Sequence, residues 1–405
     1  MTGRSVSLRR VAPAKGVPPF DRRAGRDLAV QPPLVGERLA YLDNLKTLLI
    51  AGIIASHAVM GYATFGSWTY QDVQEVTLSE VVEKIYAVLF LTLGGLFLMA
   101  LFFLISGLLT HGSLVRKGPS RFVSDRLLRL GVPFAVYTLV VWPLLEYALF
   151  GPFMHRSFSS SVTDTDPLLD NGPMWFVGVL LLYSLALVAW RRLFPPPAPS
   201  DGSLRWRHLV VLLLAVGVAS FVVRIVFPVD SNQPLNMKLW GWPEYLAMFG
   251  LGIASARRGW LRPVPGALAR RCGVATLAAT LAIVVVAVTT DLRGLDQDVY
   301  FGGLGPLALV WAMGEGVLAV SGPIWVLASV QLHLNGSGRL RRAMARSSYA
   351  AFMLQGPVLV ALALALRPTD LSGDLKALLV AALGIVGSFA LAWPLVTRTT
   401  LRRIL

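Results

Sequence analysis

The chain has 405 residues, 55% of them hydrophobic and only 15% charged, a balance that excludes an ordinary soluble protein of this length. Apolar stretches of about 20 residues, the length a helix needs to cross a bilayer, recur from Leu45 to Val396, so the net charge of +15 does not mark a nucleic-acid binder. Cys272 is the only cysteine and the five histidines lack HxxxH or HExxH spacing, so neither an intrachain disulfide nor a metal site is expected.

Residues 1–38 are basic, with Arg9-Arg10 and Arg22-Arg23 but no apolar segment of the kind a secretory or twin-arginine signal needs. They read as a disordered cytoplasmic tail ahead of a transmembrane domain over 39–405. The first apolar span, 45–66, carries Lys46 and, eleven positions on, His57. Eleven residues make three helical turns plus about 20°, which puts both side chains on one face, about 16 Å apart along the axis. Asp43 joins the same stripe. An ionisable side chain near the middle of a span is costly, and its first reading is functional; a purely structural hydrogen bond between helices is the alternative.

The second span, 84–110, ends in Phe102-Phe103-Leu104-Ile105-Ser106-Gly107, whose small residues also suit close helix packing. Arg126 and Arg129 lie one turn apart ahead of the third span, 130–150, and with Lys46 form a cationic set suited to phosphate oxygens. An Asp-rich loop over 157–171 precedes the fourth span, 174–194, which opens on Trp175-Phe176. The run Pro195-Pro196-Pro197-Ala198-Pro199 is a stiff connector. Six further spans follow at 208–228, 239–256, 271–289, 303–330, 347–366 and 376–397. Three acids, Glu146, Glu244 and Glu315, fall in or near apolar spans. Glu315 is the deepest, and three roles are open to it: orienting a base, pairing with Arg224, or joining helices.

The loops sort by charge. Arg116–Arg129, Arg191–Arg207, Arg257–Arg271, Arg339–Arg346 and Arg398–Arg403 fall on one side, while Asp72–Glu83, Asp164–Asp170, Asp291–Asp298 and Asp370–Asp374 fall on the other. Positive loops stay inside, so ten spans with both termini cytoplasmic are expected. No internal repeat stands out, which disfavours the inverted-repeat transporter folds.

Together these segments resemble the integral-membrane acyltransferase family 3 over about residues 38–400. The pattern is a Lys or Arg followed by ten residues and His on the first helix (Lys46…His57), Phe-Phe-x-x-Ser-Gly at the end of the second (Phe102 to Gly107), Arg-x-x-Arg at the third (Arg126, Arg129) and Trp-Phe at the fourth (Trp175-Phe176). The likeness is to the stand-alone form that modifies glucans, without the esterase-like domain of some polysaccharide O-acetyltransferases. One departure stands out: where the family has Ser-Tyr-x-x-Tyr-Leu-x-His-x-Pro, this chain reads Ser348-Tyr349-Ala350-Ala351-Phe352-Met353-Leu354-Gln355-Gly356-Pro357. Gln355 cannot take a proton at neutral pH, so only a positioning role survives there.

The expectation is an all-α, multi-pass plasma-membrane bundle acting as an O-acyltransferase. The resemblance implies transfer from a cytoplasmic acyl-CoA, a co-substrate rather than a bound cofactor, to a hydroxyl of a glycan or small molecule. His57 is assigned as the base or acyl carrier; Lys46, Arg126 and Arg129 hold the coenzyme; and Asp43, Ser106, Trp175, Glu315 and Gln355 are assigned to substrate binding, with membrane lipids around them. The alternatives are a transporter or flippase of a lipid-linked sugar, with His57 and Glu315 as proton relays, and a sensory or scaffold protein.

Overall fold

The computed structural model describes residues 39–404 other than 67, 69, 71–75, 91–96, 155–168, 195–201, 230 and 295–297. The expectations for the tail 1–38, for most of the Asp-rich loop and for the proline connector lie outside the described residues. Leu39–Leu405 form one compact unit. Among the described residues every regular element is helical: α1 Ala40–Met60, α2 Glu80–Leu89, α3 Phe97–Arg126, α4 Val132–Val136, α5 Trp142–Met154, α6 Trp175–Leu193, α7 Trp206–Val226, α8 Trp242–Arg258, α9 Gly266–Leu292, α10 Asp298–Phe301, α11 Pro306–His333, α12 Arg339–Leu366 and α13 Gly373–Arg398.

Eight of the helical segments are long and apolar enough to cross a membrane, against the ten spans expected from the sequence. The difference has two causes. Phe97–Leu149 is one 53-residue segment that takes in the later part of the second expected span and nearly all of the third, and α8 has only 17 residues. Within the long segment Gly118 leaves the helical region (φ 72°, ψ 166°) immediately before Pro119, a residue whose ring disfavours helix at its predecessor. The chain doubles back there, since the Arg126 guanidinium donates to the Thr110 hydroxyl, sixteen residues earlier, at 3.3 Å.

Beyond Arg126 the helix loosens into two π-turns, Leu127–Gly131 and Tyr137–Val141, on either side of α4. Pro133 has no N–H to return to the preceding turn, and the carbonyl of Arg129 is taken instead by the Tyr349 hydroxyl of α12 at 2.9 Å. A break in one helix is thereby tied to the side of another.

The bundle has a seam. α1 packs chiefly on α12 and α13, which pack on each other. On the other side α3 packs on α8, α11 on α7 and α9, and α1 meets α3 and α11 only lightly. Glycines let the second group close up: a Cβ at Gly107 of α3 would run into the Phe249 carbonyl of α8, and one at Gly252 into the Leu104 carbonyl. The structural use of Gly107 is therefore packing.

Charge also holds this group. Arg224 of α7 is 2% exposed, Glu244 of α8 0% and Glu315 of α11 2%, so none of them is hydrated by bulk water. Arg224 is ion-paired with Glu315 and lies 4.0 Å from Glu244, while the Trp311 indole N–H donates to Glu315 Oε1 at 2.7 Å. Removing one member would strand buried charge, which typically costs about 3–5 kcal/mol. Of the three roles open to Glu315, pairing with Arg224 is the one observed.

Candidate functional site

A cavity of about 780 Å³ occupies the seam, and both Lys46 and His57 line it. α1 accounts for this. Its side chains at 46, 50, 53 and 57 repeat at helical spacing and all reach the cavity, while Leu42, Leu45, Leu49 and Ile54 are buried in the bundle. The start of α1 is fixed by Asn44, whose amide donates to the carbonyls of Leu334 at 2.6 Å and Gly336 at 2.9 Å. Lys46 Nζ is held 2.9 Å from Asp43 Oδ1, one turn earlier. Asp43 thus reaches the site through Lys46 rather than by lining the cavity.

α1 ends at Met60, so His57 lies in its last turn rather than near the middle of a span. The apolar run continues through Tyr62 and Ala63, but these are buried in a loop that folds back beside the helix end. Trp68 from this loop stacks on the imidazole, with ring centroids 4.4 Å apart and planes 14° from parallel. Gln355 Oε1 accepts from His57 Nδ1 at 3.1 Å. An amide oxygen can only accept, so the proton sits on Nδ1 and the lone pair on Nε2. The residue that departs from the family pattern therefore sets the imidazole tautomer. Gln355 is itself fully buried.

Ser106, Trp175 and Glu315 also line the cavity, so five of the nine residues singled out in the sequence meet there, and Gln355 touches it through His57. Arg126 and Arg129 do not line it. The Arg126 guanidinium lies 4.9 Å over the Phe122 ring, and its Nε is buried without a hydrogen bond. Arg129 Nε is 3.3 Å from Asp125, which Lys117 also engages at 2.8 Å. The connection between these arginines and the cavity runs through Tyr349, a lining residue bonded to the Arg129 carbonyl.

At the opposite end of the cavity Asp170, from the Asp-rich loop, is a lining residue, while Trp68 and the α7–α8 connection went unnoticed in the sequence. Trp68 meets Trp142 edge-on at 5.9 Å, and the Trp142 indole N–H donates to Asp170 Oδ2 at 3.3 Å. Asp170 Oδ1 accepts from the Gly172 N–H at 3.0 Å and from the Asn236 amide at 2.8 Å. This chain of contacts leads from His57 to the α7–α8 connection, where Ser231, Asn232, Asn236, Lys238 and Trp240 line the same cavity. Leu235, Asn236 and Lys238 hold left-handed backbone there (φ 55°, 48° and 50°), a conformation non-glycine residues adopt only when their surroundings compensate its cost. Burial lowers the Lys238 pKa below the ordinary lysine value, with Asp170 opposing the shift. One signal was available: Lys238 is one of the few cations on the side of the chain where acids dominate.

The cavity therefore runs from a cation at the start of α1 to a cation beyond its end, with a tautomer-fixed imidazole between them. Residues 39–397 match the model of a protein family described as an acyltransferase domain. Comparison with curated proteins and with solved structures gives no match.

Proposed function

Because the chain belongs to this family, the integral-membrane acyltransferase family 3, and is a multi-pass membrane protein, we propose that it moves an acyl group from a cytoplasmic acyl-CoA to a hydroxyl of a glycan or small-molecule acceptor on the far side of the plasma membrane. The observation that carries this reading is the single cavity joining Lys46 to His57. In this reading both termini are cytoplasmic, residues 39–405 form the catalytic domain and 1–38 a tail.

The coenzyme phosphates sit at the arginine-rich end, where Lys46 faces the cavity and the Arg129 carbonyl is bonded to Tyr349 of its wall, with Arg126 one turn earlier. The pantetheine arm runs inward along α1, over about 16 Å from Lys46 to His57. His57 Nε2 takes the proton of the acceptor hydroxyl as its oxygen attacks the thioester carbonyl. The C–O bond forms, the C–S bond breaks, and the imidazolium returns its proton to the departing sulfur, leaving an ester and free coenzyme thiol. A positioned base supplies typically about 10²–10⁴-fold. Orientation in a site shielded from water supplies more. Gln355 holds the tautomer, while Ser106, Trp175 and Glu315 shape the acceptor's surroundings.

The test is thiol release. Purified protein incubated with acetyl-CoA, and separately with succinyl-CoA, is expected to release free thiol slowly alone and faster with a sugar acceptor. A carrier releases none, and absence of thiol with every donor and acceptor would refute the enzyme reading.

A further inference from the structure

Lys238 is a cavity-lining cation that the donor path does not use. Its backbone is held left-handed at φ 50°, which fixes the side chain on the cavity wall at the mouth opposite Lys46. Among the described residues no hydrogen bond or ion pair engages its ammonium. Asp170, the acid whose charge it feels, already receives the Trp142 indole N–H, the Gly172 N–H and the Asn236 amide. A partly buried ammonium that no described residue engages is costly unless a ligand supplies the counter-charge. Its surroundings say what else that ligand carries. Trp68, Trp142, Trp175 and Trp240 line the same cavity with their indoles, and Asn232 and Asn236 add amides. Aromatic faces with a few polar groups suit a polyhydroxylated ring, whose C–H surface packs on indoles and whose hydroxyls pair with amides.

We propose that the α7–α8 connection is the acceptor subsite, and that Lys238 selects a sugar bearing an anionic group, a carboxylate or a phosphate. Its identification as the acceptor site rests on the acyltransferase reading above; the selectivity for an anion does not. The contacts from Trp68 through Trp142 and Asp170 to Asn236 place this subsite on the wall that stacks on His57, so a sugar anchored at Lys238 presents its remaining hydroxyls toward the imidazole.

The experiment is a binding titration of the full chain in detergent, followed by tryptophan fluorescence, with glucose, glucuronate and glucose 6-phosphate as probes. A hydrogen bond to a charged group is expected to favour at least one anionic probe over glucose by about tenfold or more. Lys238→Gln should remove that advantage, and Lys238→Arg should keep most of it. The better anion distinguishes a carboxylate from a phosphate ligand. Equal binding of all three probes by the unaltered protein, or an anion preference that survives in Lys238→Gln, would overturn the proposal. No turnover is needed, so this outcome is independent of whether acyl-CoA releases thiol.

Discussion

Replacing Gln355 by Leu would test whether the imidazole is held or merely tolerated. The substitution keeps much of the side-chain volume and deletes the Oε1 that accepts from His57 Nδ1 at 3.1 Å. Without that acceptor the proton can move to the other ring nitrogen, and only the stack on Trp68 still restrains the ring. One neutral hydrogen bond contributes about 0.5–1.5 kcal/mol, which corresponds to roughly a two- to twelvefold fall in the acyl-transfer rate. Gln355→His can present a ring nitrogen lone pair at the same place and should recover most of the loss. Single-turnover transfer with a saturating donor is the assay, and thermal unfolding in detergent checks that the buried position still packs. A rate unchanged within twofold would show that Gln355 does not orient the base. A fall as large as that of a His57 deletion would show that it takes part in the chemistry itself.

His57→Ala should lower transfer by about 10²–10⁴-fold while membrane insertion is kept, since it removes an interior polar group and adds none; near-full transfer by the purified variant would exclude His57 from the mechanism. Arg126→Ala and Arg129→Ala should each weaken binding of a non-hydrolysable acyl-CoA analogue by about 1.5–3 kcal/mol, read by calorimetric titration, and unchanged affinity in both would reduce the pair to topology signals. After replacement of the buried Cys272, single cysteines at Ser161 and Ser337 should label from outside and inside respectively with an impermeant reagent. The reverse pattern would invert the donor route.

The helical bundle was legible because apolar runs of spanning length alternate with loops of alternating charge, a pattern that bilayer insertion imposes on sequence directly. The end of α1 was not: Tyr62 and Ala63 are as apolar as a helix interior, and hydropathy cannot tell a buried loop from another helical turn. The pairing of Lys46 with His57 on one cavity was readable from spacing alone, because charge inside a membrane is scarce enough to stand out. The Lys238 end of the cavity was not foreseen because the turn residues Ser231, Asn232, Pro234 and Asn236 mark a connection without showing where it packs. Arg126 and Arg129 are held away from the cavity lining by residues one turn back, Phe122 under Arg126 and Asp125 beside Arg129, an i, i+4 pattern that the sequence displays and the phosphate-binding reading passed over.

The light contact between α1 and its neighbours α3 and α11 has a thermodynamic consequence. Where side chains leave a seam open, the molecule that fills it supplies the missing cohesion between the two helix groups. Any occupant then stabilises the folded chain by RT ln(1 + [L]/Kd), about 2.7 kcal/mol at a hundredfold excess over Kd. The melting temperature of the detergent-solubilised protein is thereby a ligand sensor in its own right. A library of thioesters and sugars can be sorted by the degrees each adds, before any product is known.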